Sequence, residues 1–468
     1  MIAEEKLFQP IDELGDGLRN GEYTATELTR SYLDRLERVG PELNAVVTVM
    51  RERALETAAK RDAELAAGTD RGPLHGIPYG AKDLLAAKGG PTTWGAEPYR
   101  NQTFDYDATV VNRLEEAGAI LIAKLAMVEL AGGFGYNQAD ASFTGPTRNP
   151  WNPSAWTCGS SSGPGAAVPA GLVGFAIGSE TWGSILCPSS FSGVSGFRPT
   201  YGRVSRYGAM TLSYTMDKIG PLCRSARGCE RVFRAIAGFD PKDDTSVEKP
   251  LEIKSEATPN PDIAVLTDAG KEEQESVREN YNQSLNILSE FATITEITLP
   301  DLPYSEVAGL VIDAESAAAF EDLVKSGETD ELRAPSSQIG GYSQQVVLAK
   351  DYLKAMRVRT KIQEQIDDVL APYDALVTPA RQTVANPIKT PLSEYFGRYG
   401  GPSISAAANV AGLPGVTVPN GFGARDLPTG LAFTGRAFSD VQVLDIAQQY
   451  QAQTDHIDYS SLEGGLSD

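Results

Sequence analysis

The chain reads as an α/β layered protein, and three observations carry that reading. Strand-like apolar runs alternate with helical patterns along most of its length. No internal repeat or low-complexity tail interrupts the alternation. With 41% apolar and 22% charged residues over 468 positions, the composition is that of a globular protein whose core can exclude water from a site.

The elements follow in order. Thr24 and Glu27 form a capping box ahead of Leu28, Tyr32, Leu33 and Leu36, and that spacing predicts a helix. NAVVTVM (44–50) predicts a buried strand, and ALETAAKRDAELAA a second helix that stops at Gly68. HGIPYGAKDLL is a turn feeding a short element. TVVNRLEEAGAILIAKL predicts a helix, a break at Gly118 and a strand. Residues 131–165 are rich in Gly, Asn, Pro and Ser without periodicity, and so long an irregular stretch inside a compact chain is usually functional. Beyond Arg224 the alternation resumes. SEATPNPD (255–262) is a polar connector, IAVLT a strand, ESVRENYNQSLNILSEF an amphipathic helix and ATITEITLP a strand. Residues 352–370 predict a helix, and ALVTPA and GVTVP buried strands.

Charge and targeting exclude several classes. Asp and Glu number 62 against 41 Lys and Arg, and a net charge of −21 disfavours extended nucleic-acid contact by this chain alone. MIAEEKLFQPIDELGDG carries acids where a signal peptide carries bases, and it lacks an apolar h-region. The most apolar window, GAAVPAGLVGFAIG (165–178), is too short and too glycine-rich to span a bilayer. A cytoplasmic protein without membrane association is the expectation. Cys158, Cys187, Cys223 and Cys229 show no CxxC pair, so free, mostly buried thiols are expected, with no disulfide and no metal.

The candidate chemistry begins with what is scarce. Only two histidines, His75 and His456, are present. GSSSG (159–163) matches the G-x-S-x-G elbow with Ser161 at its centre, but the only downstream base for it is His456 in the polar tail. GxxxxGK[ST], GxGxxG and HExxH are absent. A serine hydrolase without histidine needs another base, and lysine is the usual substitute once burial lowers its pKa. Lys82 sits among the small and apolar neighbours of GIPYGAKDLL. Taken singly, Lys82 reads as a surface lysine beside Asp83, Ser160 and Ser161 as loop serines, and Ser184 as a turn serine. Their combination changes the reading.

Lys82, CGSSSG and ETWGSI occur in that order, the last within GSETWGSILCPSSFSGVSGFRPTYGRVSR (178–206). Together with GPTRNPWNP, MDKIGP and the C-terminal GLPGVTVPNGF, they make the chain resemble the amidase signature hydrolases over most of its length. The family's GGSSGG stands here as CGSSSG, and its TDxGGSIR as SETWGSIL. The resemblance implies one α/β/α domain over residues 1–468, a large mixed twisted sheet covered by helices. Within it fall an N-terminal helical region (about 1–68), a catalytic core (about 69–230) and a remainder (231–468).

The resemblance also implies a Ser-cisSer-Lys triad. Neutral Lys82 is the base, Ser160 behind a cis peptide bond relays the proton, and Ser184 attacks a carboxamide to form an acyl-enzyme. Ser161 helps orient the lysine. The backbone at Thr181, Trp182, Gly183 and Ser184 supplies the oxyanion hole, and no cofactor or metal is implied. GGFGYN (132–137) matches a substrate-bordering loop, which makes Phe134 and Tyr136 pocket candidates. Departures fall at Trp182 for Gly, Leu186 for Arg, and Ser162 and Pro164 for glycines. They bear on pocket shape and substrate polarity, and Trp182 either walls the acyl pocket or packs beneath its loop.

The implied function is a stand-alone amidase acting on a small-molecule amide, as a monomer or homodimer. One alternative is the glutaminase component of an aminoacyl-tRNA amidotransferase (its A chain), although GGYSQQVVLAKDYLKAMRVR resembles that component poorly. Another is an ester or carbamate hydrolase on the same site. A catalytically dead binding module is disfavoured, because all three catalytic positions are filled.

Overall fold

The computed structural model describes residues 2–251 and 257–464, so the connector read at 255–262 begins outside the described residues. Eleven strands form one sheet: β1 (Val46–Val49), β2 (Pro78–Lys82), β3 (Ile120–Leu125), β4 (Phe175–Glu180), β5 (Ser195–Arg198), β6 (Lys218–Cys223), β7 (Asp262–Leu266), β8 (Thr293–Ile297), β9 (Ala375–Pro379), β10 (Gly415–Gly423) and β11 (Leu427–Thr434). Their spatial order is β1-β3-β2-β4-β6-β5-β10-β11-β9-β7-β8. The pairs β3/β2, β2/β4, β9/β7 and β7/β8 are parallel, and the others are antiparallel. Helices flank this mixed sheet, and the expected α/β class is the observed one.

Most of the elements expected from periodicity form. Thr24 caps the helix Ala25–Leu43 through a complete capping box with Glu27, as the sequence requires. β2, β3 and β4 are buried at every position, which fits their small and apolar residues apart from Lys82, Lys124, Ser179 and Glu180. β5, β6 and β11 carry no comparable signal. SGFR, KIGPLC and LPTGLAFT hold Gly, Pro, Lys or Arg, residues of low strand preference, and they are extended because neighbouring strands pair with them on both sides.

The register of β2 and β4 builds the site. Tyr79, Gly80 and Ala81 pair with Phe175, Ala176 and Ile177, so the carboxyl ends of two adjacent parallel strands bring Lys82 beside Ser179 and Glu180. Carboxyl ends of parallel strands are where ligands gather in α/β sheets. β6 then pairs Lys218 with Glu180, which places Asp217 at the same rim.

One cysteine expectation is corrected. Cys158 and Cys187 form a disulfide with a Cα–Cα distance of 6.0 Å, whereas Cys223 and Cys229 are free and buried. The two partners lie 29 residues apart. They meet because the serine-rich loop lies against the helix Leu186–Ser192, a tertiary approach that cysteine spacing does not encode. Cys158 also takes a φ of +67° where the family motif has its first glycine, a conformation that costs a side-chain-bearing residue of order 1 kcal/mol or more.

The same loop leaves no room elsewhere. Gly163, in the helix Ser162–Ala167, donates its N–H to Ala126 C=O at 2.8 Å. A Cβ there would lie 2.4 Å from Ala126 N and 2.5 Å from Ala45 O, both backbone atoms that cannot swing aside. Gly163→Ala should therefore destabilise the fold by about 1–3 kcal/mol or more, measured by chemical denaturation. A neutral result would show that the segment bearing the two serines is not wedged against β3.

Candidate active site

Lys82 ends β2 fully buried. Its Nζ donates to Ser160 Oγ at 2.7 Å and to Ser179 Oγ at 2.9 Å, with Ser179 C=O at 3.4 Å. No carboxylate hydrogen-bonds it among the described residues. Burial pulls its pKa from 10.5 down to about 7, and the fields of Asp217 and Glu180 only partly oppose that shift. The next residue, Asp83, turns instead to Lys124 on β3, 2.8 Å away, and both members of that pair are fully buried. Lys82 is thus neither exposed nor paired with its neighbour in sequence.

The peptide bond between Gly159 and Ser160 is cis. Ser160 and Ser161 are both buried, and Ser161 N–H donates to Ser184 C=O at 3.3 Å, which ties the two serine segments together. Ser184 is 8% exposed, and its hydroxyl forms no hydrogen bond to Ser160 among the described residues. Ser161 forms no hydrogen bond to the lysine among the described residues. Its hydroxyl donates to Ser179 C=O at 3.1 Å and accepts from Ser179 N–H at 3.3 Å, so it reaches Lys82 only through Ser179. Sequence reasoning missed Ser179, although its place before Glu180 in GSETWGSI was a usable signal.

The loop after β4 is held from beneath by Glu180. One carboxylate oxygen accepts from Ile185 and Leu186 N–H, both at 2.9 Å, and the other accepts from Arg198 Nη1 at 2.7 Å. Burial opposes the charge, but Arg198, Lys218 and the Leu186 N–H hold the carboxyl at about 2. Thr181 donates its hydroxyl to Asp217 at 2.5 Å. Gly183 takes a φ of +88°, open to glycine at little cost. The N–H groups of Trp182, Gly183 and Ser184 donate to no acceptor among the described residues. Trp182 is 38% exposed and so does not pack beneath its loop.

The two aromatic candidates part company. Phe134 is 3% exposed and packs edge-on against Phe320. Tyr136 is half-buried, stands edge-on to Trp156, and lies close enough to Arg381 to feel its charge. Neither histidine joins the serines. His75 is hydrogen-bonded to Arg71 N–H and Arg61 C=O, and His456 to Tyr450. Among the described residues no group of three or more His, Cys, Asp or Glu could hold a metal ion, and no helix is long and apolar enough to cross a membrane.

A buried lysine without a carboxylate partner, set beside serines on small-residue loops, is an arrangement in which lysine can stand in for histidine as a base. A family model described as Amidase matches residues 27–444, and the chain belongs to that family. It is 36% identical to the A chain of the glutamyl-tRNA(Gln) amidotransferase of Moorella thermoacetica, over 97% of this chain and 98% of that protein. The native peptide amidase of Stenotrophomonas maltophilia superposes with a TM-score of 0.85 at 31% identity, covering 96% of this chain and 98% of the other. The corresponding glutamyl-tRNA(Gln) amidotransferase chain of Thermotoga maritima superposes at 0.77 and 29% identity, covering 96% and 94%.

The lysine's lowered pKa has a thermodynamic consequence. In an unfolded chain its amine keeps a proton up to about 10.5, but folded only to about 7, so the folded state binds fewer protons in that window. Wild-type stability should therefore rise relative to Lys82→Met by up to about 1.4 kcal/mol per pH unit between those limits. Urea denaturation across neutral to alkaline pH measures the difference, and a flat one would contradict a burial-driven shift.

Proposed function

We propose that the protein is a stand-alone amidase that hydrolyses a carboxamide through an acyl-enzyme on Ser184. The observation that carries the hydrolytic part of this reading is the Lys82 amine, 2.7 Å from Ser160 Oγ and with its pKa lowered by burial to about 7. Rotation of the Ser184 side chain brings its unengaged hydroxyl toward Ser160. Ser184 then passes its proton to Ser160 as Ser160 passes its own to Lys82, and Ser184 Oγ attacks the carbonyl carbon.

The oxygen that becomes negative meets the free N–H groups at Trp182, Gly183 and Ser184, with Thr181 held in place by Asp217. Losing one such donor typically costs about 2.7–4 kcal/mol. On collapse the proton returns from Lys82 through Ser160 to the leaving nitrogen. Water then attacks the acyl carbon as the same relay takes up its proton, and on collapse the ester C–O bond breaks, the proton returns to Ser184 Oγ and the free acid leaves.

A second reading has its own support, since curated relatives at 34–36% identity are named as the A chains of glutamyl-tRNA(Gln) amidotransferases. Purification from its native host separates the two. A lone chain releasing ammonia or amine from simple amides supports the first reading. A chain that co-purifies with partner proteins and acts as a glutaminase only with them supports the second.

Ser184→Ala should abolish acyl-enzyme formation, read by mass spectrometry after a serine-reactive fluorophosphonate; an adduct on Ser161 would overturn the assignment. Acylation should rise with pH through about 7 as Lys82 loses its proton. Single-turnover rates should fall by roughly three orders of magnitude or more in Lys82→Ala, in the range of general-base and nucleophile-activation losses. His75→Ala and His456→Ala should retain most activity. Collapse on losing either histidine would contradict the lysine mechanism.

A further inference from the structure

Beside the nucleophile loop lies a cleft lined by Gly183, Leu186, Arg198, Arg381 and Ser405. Arg381 follows β9 and carries a charge that nothing neutralises directly. It forms no ion pair and no hydrogen bond among the described residues, and its Nε is buried without a partner. Its guanidinium lies 5.2 Å from the ring centre of Phe396 and 6.0 Å from that of Phe191, two rings stacked on each other.

The nearby acid is already committed. Glu180 holds Arg198 and two backbone N–H groups, so it reaches Arg381 only as a field. Burial accordingly pulls the Arg381 pKa below its ordinary value. Arg198 adds a second open position, because its Nη2 is buried and unpartnered while Nε and Nη1 are engaged. Leu186, where the family motif has arginine, lines the same cleft as Arg381.

A half-buried guanidinium with an unpartnered Nε and only aromatic faces in contact is incompletely compensated, because cation–π contact supplies less than the hydration lost at Nε. It would be compensated by a planar anion, which a guanidinium grips through two parallel N–H bonds. We propose that Arg381 is a specificity residue that receives a carboxylate of the substrate, so that the preferred amide bears a carboxylate close to the scissile bond. This rests on the amidase reading and narrows its substrate class to amido acids. The carboxylate belongs either to the acyl part or to the amine part, and the two share the same recognition chemistry.

Two matched pairs distinguish them. Valeramide against glutaramate places the charge on the acyl side, and N-ethylbutyramide against N-butyrylglycinate places it on the amine side. Wild type should favour the anion in one pair by about tenfold or more in kcat/KM, mainly through KM. Arg381→Gln should bring that ratio to about one or below, and Arg381→Lys should restore part of it. A wild-type ratio near one in both pairs, or a ratio that survives Arg381→Gln, overturns the proposal. If none of the four amides is hydrolysed, the amidase reading fails separately. Calorimetric titration with glutarate then decides the anion site: binding that is lost in Arg381→Gln and kept in Arg381→Lys supports it, and absence of binding to wild type overturns it.

Discussion

The site depends on one constraint: the amine of Lys82 is buried with hydroxyl partners and no carboxylate in contact. A carboxylate touching the amine would restore its charge and remove the base. The surroundings prevent that contact by occupying every nearby acid. Asp83 lies against Lys124, Glu180 holds Arg198 and two N–H groups, and Asp217 accepts from Thr181 and from the N–H groups of Leu212 and Ser213. The Glu180 and Asp217 bonds that keep those two acids from Lys82 also hold the loop that carries Ser184. Charge placement and loop geometry are therefore one arrangement.

Two features set this chain apart from the motif it matches. A disulfide joins the serine-rich loop to the helix that follows Ser184, replacing glycine freedom at Cys158 with a covalent tie. Across the same helix, the arginine of the motif is absent at position 186, and a guanidinium enters the cleft from Arg381. The first bears on how the segments carrying Ser160 and Ser184 stay aligned, and the second on the charge presented in the cleft. Neither alters the hydroxyls around Lys82.

Much of this was legible in the sequence, for identifiable reasons. Lys82, Ser160 and Ser184 stand out because three short motifs in order resemble those of the amidase signature family, in a chain that lacks a usable histidine. The helix Ala25–Leu43 announces itself by its capping box, and β3 by its apolar run. What was not legible depends on contacts between distant segments. Ser179 orients Lys82 because β2 and β4 run in register, and sequence shows neither strand's neighbour. The Cys158–Cys187 bond and the engagement of Glu180 with Arg198 need the folded loop. β5, β6 and β11 are extended because of their neighbours, against weak preferences of their own.

The central claim is a statement about one proton. Nitrogen-15 NMR of protein labelled at lysine Nζ, with Lys82→Met to assign the signal, measures its titration directly. A midpoint near 7, set apart from the other lysines, is the result expected from the buried, hydroxyl-bound amine. A midpoint near the ordinary lysine value of about 10.4 would show Lys82 charged at neutral pH and contradict the proposal that it is the base.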